Sequence, residues 1–246
     1  KIMKKEEIEK LRKLIKEAKH IVFLTGAGIS KPSGIPDIRG NDGLSKREAN
    51  NKKYGATYEE IVSHEYFMYE TEKFYKYYFN EMIFKDAKPN VAHKALARLN
   101  DKAVVVTQNI DGLHTMGGSK DVIEIHGSVN KNRCLNCHTF YDLKDMLKLA
   151  PFPKCPKCGG IIKPEVVLFN ESLNEDDLSR AVNEISKADL LICIGTSLVV
   201  NPAASLPYYF LGKDMVIINK DPTPLDSRAS MVIREDIASF IDKVID

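Results

Sequence analysis

Four cysteines in the middle of the chain, Cys134, Cys137, Cys155 and Cys158, are spaced C-x2-C-x17-C-x2-C. Two close thiol pairs separated by a loop match a tetrahedral zinc site, and a site closed by four protein ligands keeps no open coordination position. The single zinc ion they imply is therefore structural rather than catalytic. The competing reading of the same spacing is a redox pair of C-x-x-C motifs. Gly159 and Gly160, directly after the second pair, suit the tight turn of a zinc ribbon. Cys193 stands apart inside an apolar run and reads as inert core.

A second group of chemistry-bearing residues follows apolar runs. The stretch FLTGAGISKPSGIPDIRG, Phe23 to Gly40, breaks at Gly26-Ala27-Gly28. Glycines there allow a tight turn and bring backbone N–H groups close to a pyrophosphate. The fingerprint is incomplete. Lys31 holds the place of the third glycine of G-x-G-x-x-G, and no acidic residue closes a second strand about 20 residues on. Pro32, Gly34 and Pro36 then shape a loop that carries Asp37 and Arg39. A carboxylate would repel a pyrophosphate, so Asp37 is expected to accept hydrogen bonds from an uncharged or cationic group, and a nicotinamide carboxamide fits. The alternative is an Asp37–Arg39 ion pair that orders the loop.

Gln108-Asn109-Ile110-Asp111 follows the run Val104 to Thr107. Ligands of an open parallel sheet sit beyond the carboxyl ends of its strands, so Gln108 and Asn109 suit ribose hydroxyls or an ordered water. A hydrophilic turn with Asp111 as a helix cap is the alternative. His126-Gly127 ends another run. An imidazole with a pKa near 6.5 can accept a proton at neutral pH, which makes His126 a general-base candidate beside the reading of a satisfied structural histidine. His93, His114 and His138 have weaker claims. Gly195-Thr196-Ser197 and Asn219 follow two further runs and suit the phosphate, ribose and adenosine side of a dinucleotide.

Such residues need a sheet that gathers strand ends. Ile8, Leu11, Ile15 and Ala18 share a helical face, so the chain opens with an amphipathic helix. Strands are expected at His20–Thr25, Ala103–Thr107, Val122–Ile125, Leu190–Ile194 and Met215–Asn219. Helices are expected from the Thr57–Glu60 capping box, over Pro89–Leu99 with the proline in the first turn, from an Asn174 cap to Lys187, and over Ile237–Ile245. Aromatics crowd Tyr66 to Phe84 on a helical pattern that reads as core, with an apolar groove as the alternative. Continuous apolar strands alternating with helices give an α/β fold, a Rossmann-like parallel sheet with helices on both faces. Lys131 to Lys163, rich in Cys, Pro, Lys and Asn, breaks that rhythm and reads as an inserted module.

The totals exclude several classes. The 246 residues, 43% of them hydrophobic, suffice for one large domain with a small module. Lys+Arg number 36 against Asp+Glu 34, and a net charge of +2 argues against a dedicated nucleic-acid binder. Glu6, Glu7, Glu9 and Glu17 interleave the basic residues between Lys1 and Lys19, which makes that segment a solvated helix face. No apolar run approaches the ~20 residues of a bilayer span, and the charged N-terminus lacks the apolar centre of a signal peptide. Lys1 and Ile2 are set aside before Met3, read as a native start. The expected compartment is the cytoplasm, which favours thiols and metal ligands over disulfides.

The combination resembles the sirtuin family. Gly26-Ala-Gly-Ile-Ser30, Ser33-Gly-Ile-Pro-Asp37, Thr107-Gln-Asn-Ile-Asp111, His126-Gly127, the four cysteines, Lys163-Pro-Glu-Val-Val-Leu-Phe169 and Gly195-Thr-Ser-Leu198 occur in the family's order, over nearly the whole chain from about Lys19. The resemblance implies NAD-dependent removal of acetyl or other neutral acyl groups from protein lysines, giving nicotinamide, O-acetyl-ADP-ribose and free lysine. It implies a Rossmann-like NAD-binding domain (1–50, 86–130 and 164–246), a zinc-binding module (131–163) and a helical part of the small domain (51–85).

Carried over by motif, His126 and Asn109 are catalytic. Gly26, Ala27, Gly28, Ser30 and Lys31 belong to the pyrophosphate loop. Asp37, Ile38, Arg39, Ile110 and Asp111 surround the nicotinamide, and Gln108 and Asn109 its ribose. Gly195, Thr196, Ser197, Asn219 and Ile237 hold the rest of the cofactor. Val167, Phe169, Asn170 and Val199 line the acyl-peptide site, where strand addition accepts many sequences. The expected partners are acyl-lysine proteins or peptides, with no membrane and no dedicated nucleic-acid binding.

Three positions depart from the family pattern. Ile38 stands where a phenylalanine usually shields the reactive sugar, Asn170 replaces a glycine, and Lys31 replaces a small polar residue. None removes a catalytic group. The Tyr-x-x-Arg pair of succinyl- and malonyl-preferring sirtuins is missing, which favours a neutral acyl chain. A protein ADP-ribosyltransferase using the same pocket, and a non-catalytic acyl-lysine or nucleotide-binding module, remain as alternatives.

Overall fold

The computed structural model describes residues 5–246. Met3 and the first basic residues lie outside the described residues. In chain order the strands are β1 (Ile21–Thr25), β2 (Ala103–Thr107), β3 (Val122–Glu124), β4 (Gly127–Cys134), β5 (Phe140–Tyr141), β6 (Ile162–Val166), β7 (Leu190–Ile194), β8 (Asp214–Ile218) and β9 (Met231–Ile233). The helices are α1 (Lys5–Glu17), α2 (Leu44–Tyr54), α3 (Tyr58–Ile61), α4 (His64–Tyr69), α5 (Thr71–Tyr77), α6 (Val91–Ala97), α7 (Leu113–Met116), α8 (Leu143–Leu149), α9 (Glu175–Lys187) and α10 (Ile237–Val244).

Six strands form one sheet in the order β3-β2-β1-β7-β8-β9, and every pairing in it is parallel. Thr25, Thr107 and Ile194 lie side by side, so β1, β2 and β7 end level. The chain builds outward from β1 through β2 and β3, then returns to the other side of β1 with β7. That order places a topological switch point between β1 and β7, where a doubly wound sheet opens a ligand crevice.

Both faces of the sheet are covered, which explains why its strands read as continuous apolar runs. Ile21 and Phe23 of β1 pack with Leu11 and Ile15 of α1, Leu96 of α6 and Phe240 of α10. Val22 and Leu24, which point the other way, pack with Ala181 and Ile185 of α9 and with Leu206.

The remaining elements form a second body with one core. β5, β4 and β6 make a three-stranded antiparallel sheet. Phe67, Phe74, Tyr75, Tyr77 and Tyr78 of the helical stretch are buried together with Val129, Cys134, Ile162 and Val166 of that sheet and with Cys155. The Tyr75 hydroxyl donates to the Ile162 carbonyl across this contact. The aromatic stretch is thus mostly core, although Tyr69 points to solvent. The small sheet reaches from Gly127 to Val166, beyond both ends of the Cys-rich segment, because its first strand β4 leads directly out of the large sheet's crevice and its last strand β6 leads back into it.

Several helix starts follow side-chain caps. Thr57 accepts the Glu60 N–H as expected, but α3 stops after one turn and Ser63 caps a new helix, α4, by accepting the Tyr66 N–H. Asn174 caps α9 as expected. Pro89, in contrast, lies outside the helix it was expected to start. Asn90 takes the N-cap, accepting the Ala92 N–H at 2.9 Å, while His93 Nδ1 accepts the Asn90 N–H. A capping asparagine satisfies an orphan donor that a proline in the first turn cannot. The Asn90 amide also donates to Ile29 O and Ser33 Oγ, both at 2.9 Å, tying α6 to the glycine loop. Asn90→Ala is expected to cost ~1–2 kcal/mol, read as a lower denaturation midpoint at unchanged m-value.

Candidate functional site

At the switch point two loops meet backbone to backbone. Gly28 N–H donates to Gly195 O at 2.8 Å, and Gly195 sits at φ 63. A Cβ on Gly28 would lie 2.7 Å from Gly195 Cα, so both loops need glycine to approach this closely. Ala27 opens a 3-10 turn after β1, and its N–H takes no protein partner among the described residues. Such a free donor suits a phosphate oxygen.

A cavity of about 990 Å³ opens here. It is lined by all the residues expected on the cofactor side, from Gly26, Ala27, Gly28, Ser30 and Lys31 through Asp37, Ile38 and Arg39 to Asn219 and Ile237. Gln108, Asn109, Ile110, Asp111 and His126 line it as well, as do Val167, Phe169, Asn170 and Val199. A cavity of this size suits a dinucleotide and a side chain together.

Strand ends fix the polar groups. The Gln108 amide donates across the crevice to Thr196 Oγ1 at 2.8 Å. Asn109 Nδ2 donates to Gly26 O at 2.9 Å. Asp111 accepts from Ser30 Oγ at 2.6 Å with one carboxylate oxygen and from the Leu113 N–H, the first of α7, at 2.9 Å with the other, while Gly112 takes the N-cap. Asp37 accepts the backbone N–H groups of Arg39 and Gly40 at 3.2 and 3.1 Å. Its carboxylate therefore orders the loop through the backbone. The Arg39 guanidinium turns away from it, over Phe169 at 4.6 Å and Tyr58 at 5.5 Å from the ring centroids, and makes no ion pair among the described residues.

His126 is held by its ring. Nδ1 lies 3.0 Å from Gln108 O, and a carbonyl can only accept, so Nδ1 carries the proton. In the neutral ring Nε2 is then a free base. Burial is the main cause holding the His126 pKa below its usual value, and the Arg39 charge adds to it, while the Gln108 carbonyl works against both.

The segment after β6 is pinned along one side. Val167 N–H donates to His126 O at 2.8 Å, Phe169 N–H to Val62 O at 2.9 Å, and His64 N–H to Phe169 O at 2.9 Å. Asn170 has φ 69, and its amide donates to Glu65 at 3.0 Å. Asparagine tolerates this left-handed conformation better than most residues, which explains how it replaces a glycine. Glu171 accepts from the Leu168 N–H and Lys163 and pairs with His64 at 2.8 Å. On the facing loop Leu198, buried and not a glycine, is held at φ 57.

The four cysteine sulfurs of the small sheet all lie within 4.8 Å of one another, with Cys134–Cys158 at 3.4 Å and Cys137–Cys155 at 3.5 Å. A tetrahedron with Zn–S bonds of about 2.3 Å has edges of about 3.8 Å, so the donor set and its spread fit one zinc ion. Backbone N–H groups of Asn136, Cys137 and Gly160 point at these sulfurs, and Tyr141 Oη lies 2.9 Å from Cys155 Sγ. Such donors stabilise thiolates. Cys193 lies in β7, fully buried, with its pKa pushed up to about 12 by burial.

Several cavity residues were not anticipated. Tyr58 was read only as part of a cap. Arg234, which donates to Asn219 O at 3.0 Å and pairs with Asp226, follows β9. The rule that ligands gather at strand carboxyl ends would have found it, had the short Met231–Ile233 run been recognised as a strand.

A model of the Sir2 family matches residues 26–202. An NAD-dependent protein deacetylase of Clostridium perfringens is 50% identical over 98% of this chain and 99% of its own length. A solved structure of Sir2 with a p53 peptide and NAD+ superposes with a TM-score of 0.84 at 37% identity, covering 98% of this chain and 97% of that one. A Sir2 structure with 2′-O-acetyl-ADP-ribose and a deacetylated p53 peptide gives 0.82 at 37% identity, covering 96% of each chain.

The thiolate cluster generates a direct test. Cys155→Ser, or prolonged chelation, is expected to take metal content from one zinc per chain toward none and to lower Tm by more than about 5 °C. Elemental analysis and thermal unfolding of the same sample check both.

Proposed function

The chain belongs to the Sir2 family and is an NAD-dependent protein deacetylase, and we propose that the crevice at the β1–β7 switch point is its active site with His126 as the general base. The observation that carries this reading is the His126 ring: Nδ1 is spent on Gln108 O, so Nε2 faces the cavity as a free base.

The free Ala27 N–H and the glycine loop would hold the pyrophosphate, and Thr196, Ser197 and Asn219 the adenosine half. Asp111 and Asp37, with Ile110 between walls of the same cavity, would accept from the nicotinamide amide. Gln108 and Asn109 would meet its ribose. NAD supplies an electrophilic sugar carbon once its nicotinamide is lost. A carboxylate nearby favours the positive charge that develops in that step, and Ile38 and Phe169 keep water away from it. His126 Nε2 would serve to take a proton from a hydroxyl of that ribose.

The acyl-lysine chain would enter beside Val167 and Phe169. Val167 C=O and the Asn170 N–H take no backbone partner among the described residues, and we assign them to an incoming extended peptide, with Val199 on its other side. Backbone pairing fits a broad range of acyl-lysine proteins. The apolar walls fit acetyl or another neutral acyl group. A metal held by the four cysteines leaves no site for catalysis and supports the small sheet. The thiol set fits a reducing compartment, and we assign the protein to the cytoplasm. The near-balanced charge fits a protein partner rather than nucleic acid.

Incubating an acetyl-lysine peptide with and without NAD tests the reading. Nicotinamide release matched by deacetylation is expected. ADP-ribose attached to protein with the acetyl group retained would make the enzyme a transferase, and no turnover would make it a binding module. His126→Ala is expected to lose at least about 100-fold in kcat/KM with zinc content and NAD binding kept. Because the base must be neutral to accept a proton, its lowered pKa puts the acidic limb of kcat/KM below pH 6.5. Arg39→Gln, by removing a positive charge that disfavours imidazolium, is expected to move that limb upward.

A further inference from the structure

Two histidines outside the chemistry above lie under the crevice. His93 on α6 is 0% exposed and His114 on α7 is 2% exposed. Their rings meet edge to face with centroids 5.0 Å apart. Burial is the main cause that pushes His93 down to about 4 and His114 down to about 3, so both are neutral at physiological pH.

A neutral imidazole has one donor and one acceptor, and here the neighbours decide which is which. The Asn90 N–H can only donate, so His93 Nδ1 accepts it at 3.1 Å and the ring proton is on Nε2. That N–H faces Ser30 Oγ at 3.3 Å, and Ser30 in turn donates to Asp111 at 2.6 Å. His114 Nδ1 is buried without a partner. A buried orphan N–H is rarer than an orphan acceptor, which again puts the proton on Nε2. His114 Nε2–H then donates to Thr25 Oγ1 at 2.8 Å, Thr25 donates to Thr107 Oγ1 at 2.8 Å, and Thr107 accepts the Asn109 backbone N–H at 3.1 Å. Two directional relays thus run from a neutral histidine to Asp111 and to Asn109.

We propose that His93 and His114 are positioning residues that lock Asp111 and Asn109 in the orientation that grips nicotinamide and its ribose. The inference rests on the assignment of the crevice given above. It gives the floor of the crevice a function of its own. Reversing the His93 donor would leave the Asn90 N–H unpaired, and reversing the His114 donor would turn its buried orphan acceptor into a rarer orphan N–H. The aspartate keeps its remaining lone pairs aimed at the ligand, the Asn109 backbone is held by Thr107, and its amide donates to Gly26 O and to Ser30 Oγ of the His93 relay, all before the ligand arrives.

The test compares His114→Leu, which removes the donor, with His114→Gln, whose amide can restore it, and with Thr25→Val, which cuts the relay at the threonine. Each variant is measured for nicotinamide inhibition, kcat, KM for NAD, KM for an acetyl-lysine peptide, and Tm. His114→Leu and Thr25→Val are expected to weaken nicotinamide inhibition and lower kcat by roughly tenfold, with peptide KM within about twofold, and His114→Gln to recover most of the loss. Wild-type nicotinamide inhibition in both Thr25→Val and His114→Leu overturns the proposal. So does a His114→Gln variant no better than His114→Leu at equal Tm. If His114→Leu does not fold, Thr25→Val decides alone. Asp111→Asn serves as the reference. Should it retain full turnover, the crevice assignment itself fails. Should it lose turnover while the relay variants behave as wild type, only the relay falls.

Discussion

The crevice exists because two strand-end loops touch through their backbones. With β1 and β7 in step and parallel, their loops leave the sheet at the same level, and the Gly28–Gly195 hydrogen bond clamps them there. Side chains on either residue would force the loops apart by more than the bond could bridge. Once they are clamped, the other strand ends have fixed places. β2 delivers Gln108 to Asp111 on one side, β8 delivers Asn219 on the other, and the chain after β3 turns at His126 into the small sheet. One backbone contact thus sets the frame in which every polar group of the site is measured.

Within that frame, charge and neutrality are segregated. The floor holds two uncharged histidines and three hydroxyls, all dry, whose hydrogen bonds point in fixed directions. The walls carry Asp37, Arg39 and Asp111, none of them joined to another in an ion pair among the described residues. The carboxylates accept from backbone N–H groups and a hydroxyl rather than from a cation. Arg39, resting on aromatic faces, keeps its charge free as well.

Legibility in the sequence followed the range of the interaction. The zinc cluster was readable because its four ligands fall in two local pairs, and the turn glycines beside them are part of the same short stretch. The large sheet was readable because its strands are apolar on both faces, and the polar residues that end them announce the crevice. The landing place of Arg39 was not readable. It depends on how a loop of Pro and Gly folds back over Phe169, a contact between residues far apart in the chain. The start of α6 was misread for a related reason: Pro89 is a strong local signal, but Asn90 makes one cap bond and two tertiary bonds, and together these outweigh it. The relays under the floor were out of reach, since His93 and His114 have meaning only once Thr25, Ser30 and Thr107 are brought against them.

The helical stretch and the Cys-rich sheet share one apolar core, and Val62 and His64 of that body hold Phe169 by its backbone. On the docking proposed above, the metal and the acylated peptide act on the same cooperative unit. Thermodynamic reciprocity then runs in both directions: to the degree that an ion steadies the docking edge, an occupied docking edge tightens the hold on the ion. Substrate supply becomes, in that sense, a guardian of the metal.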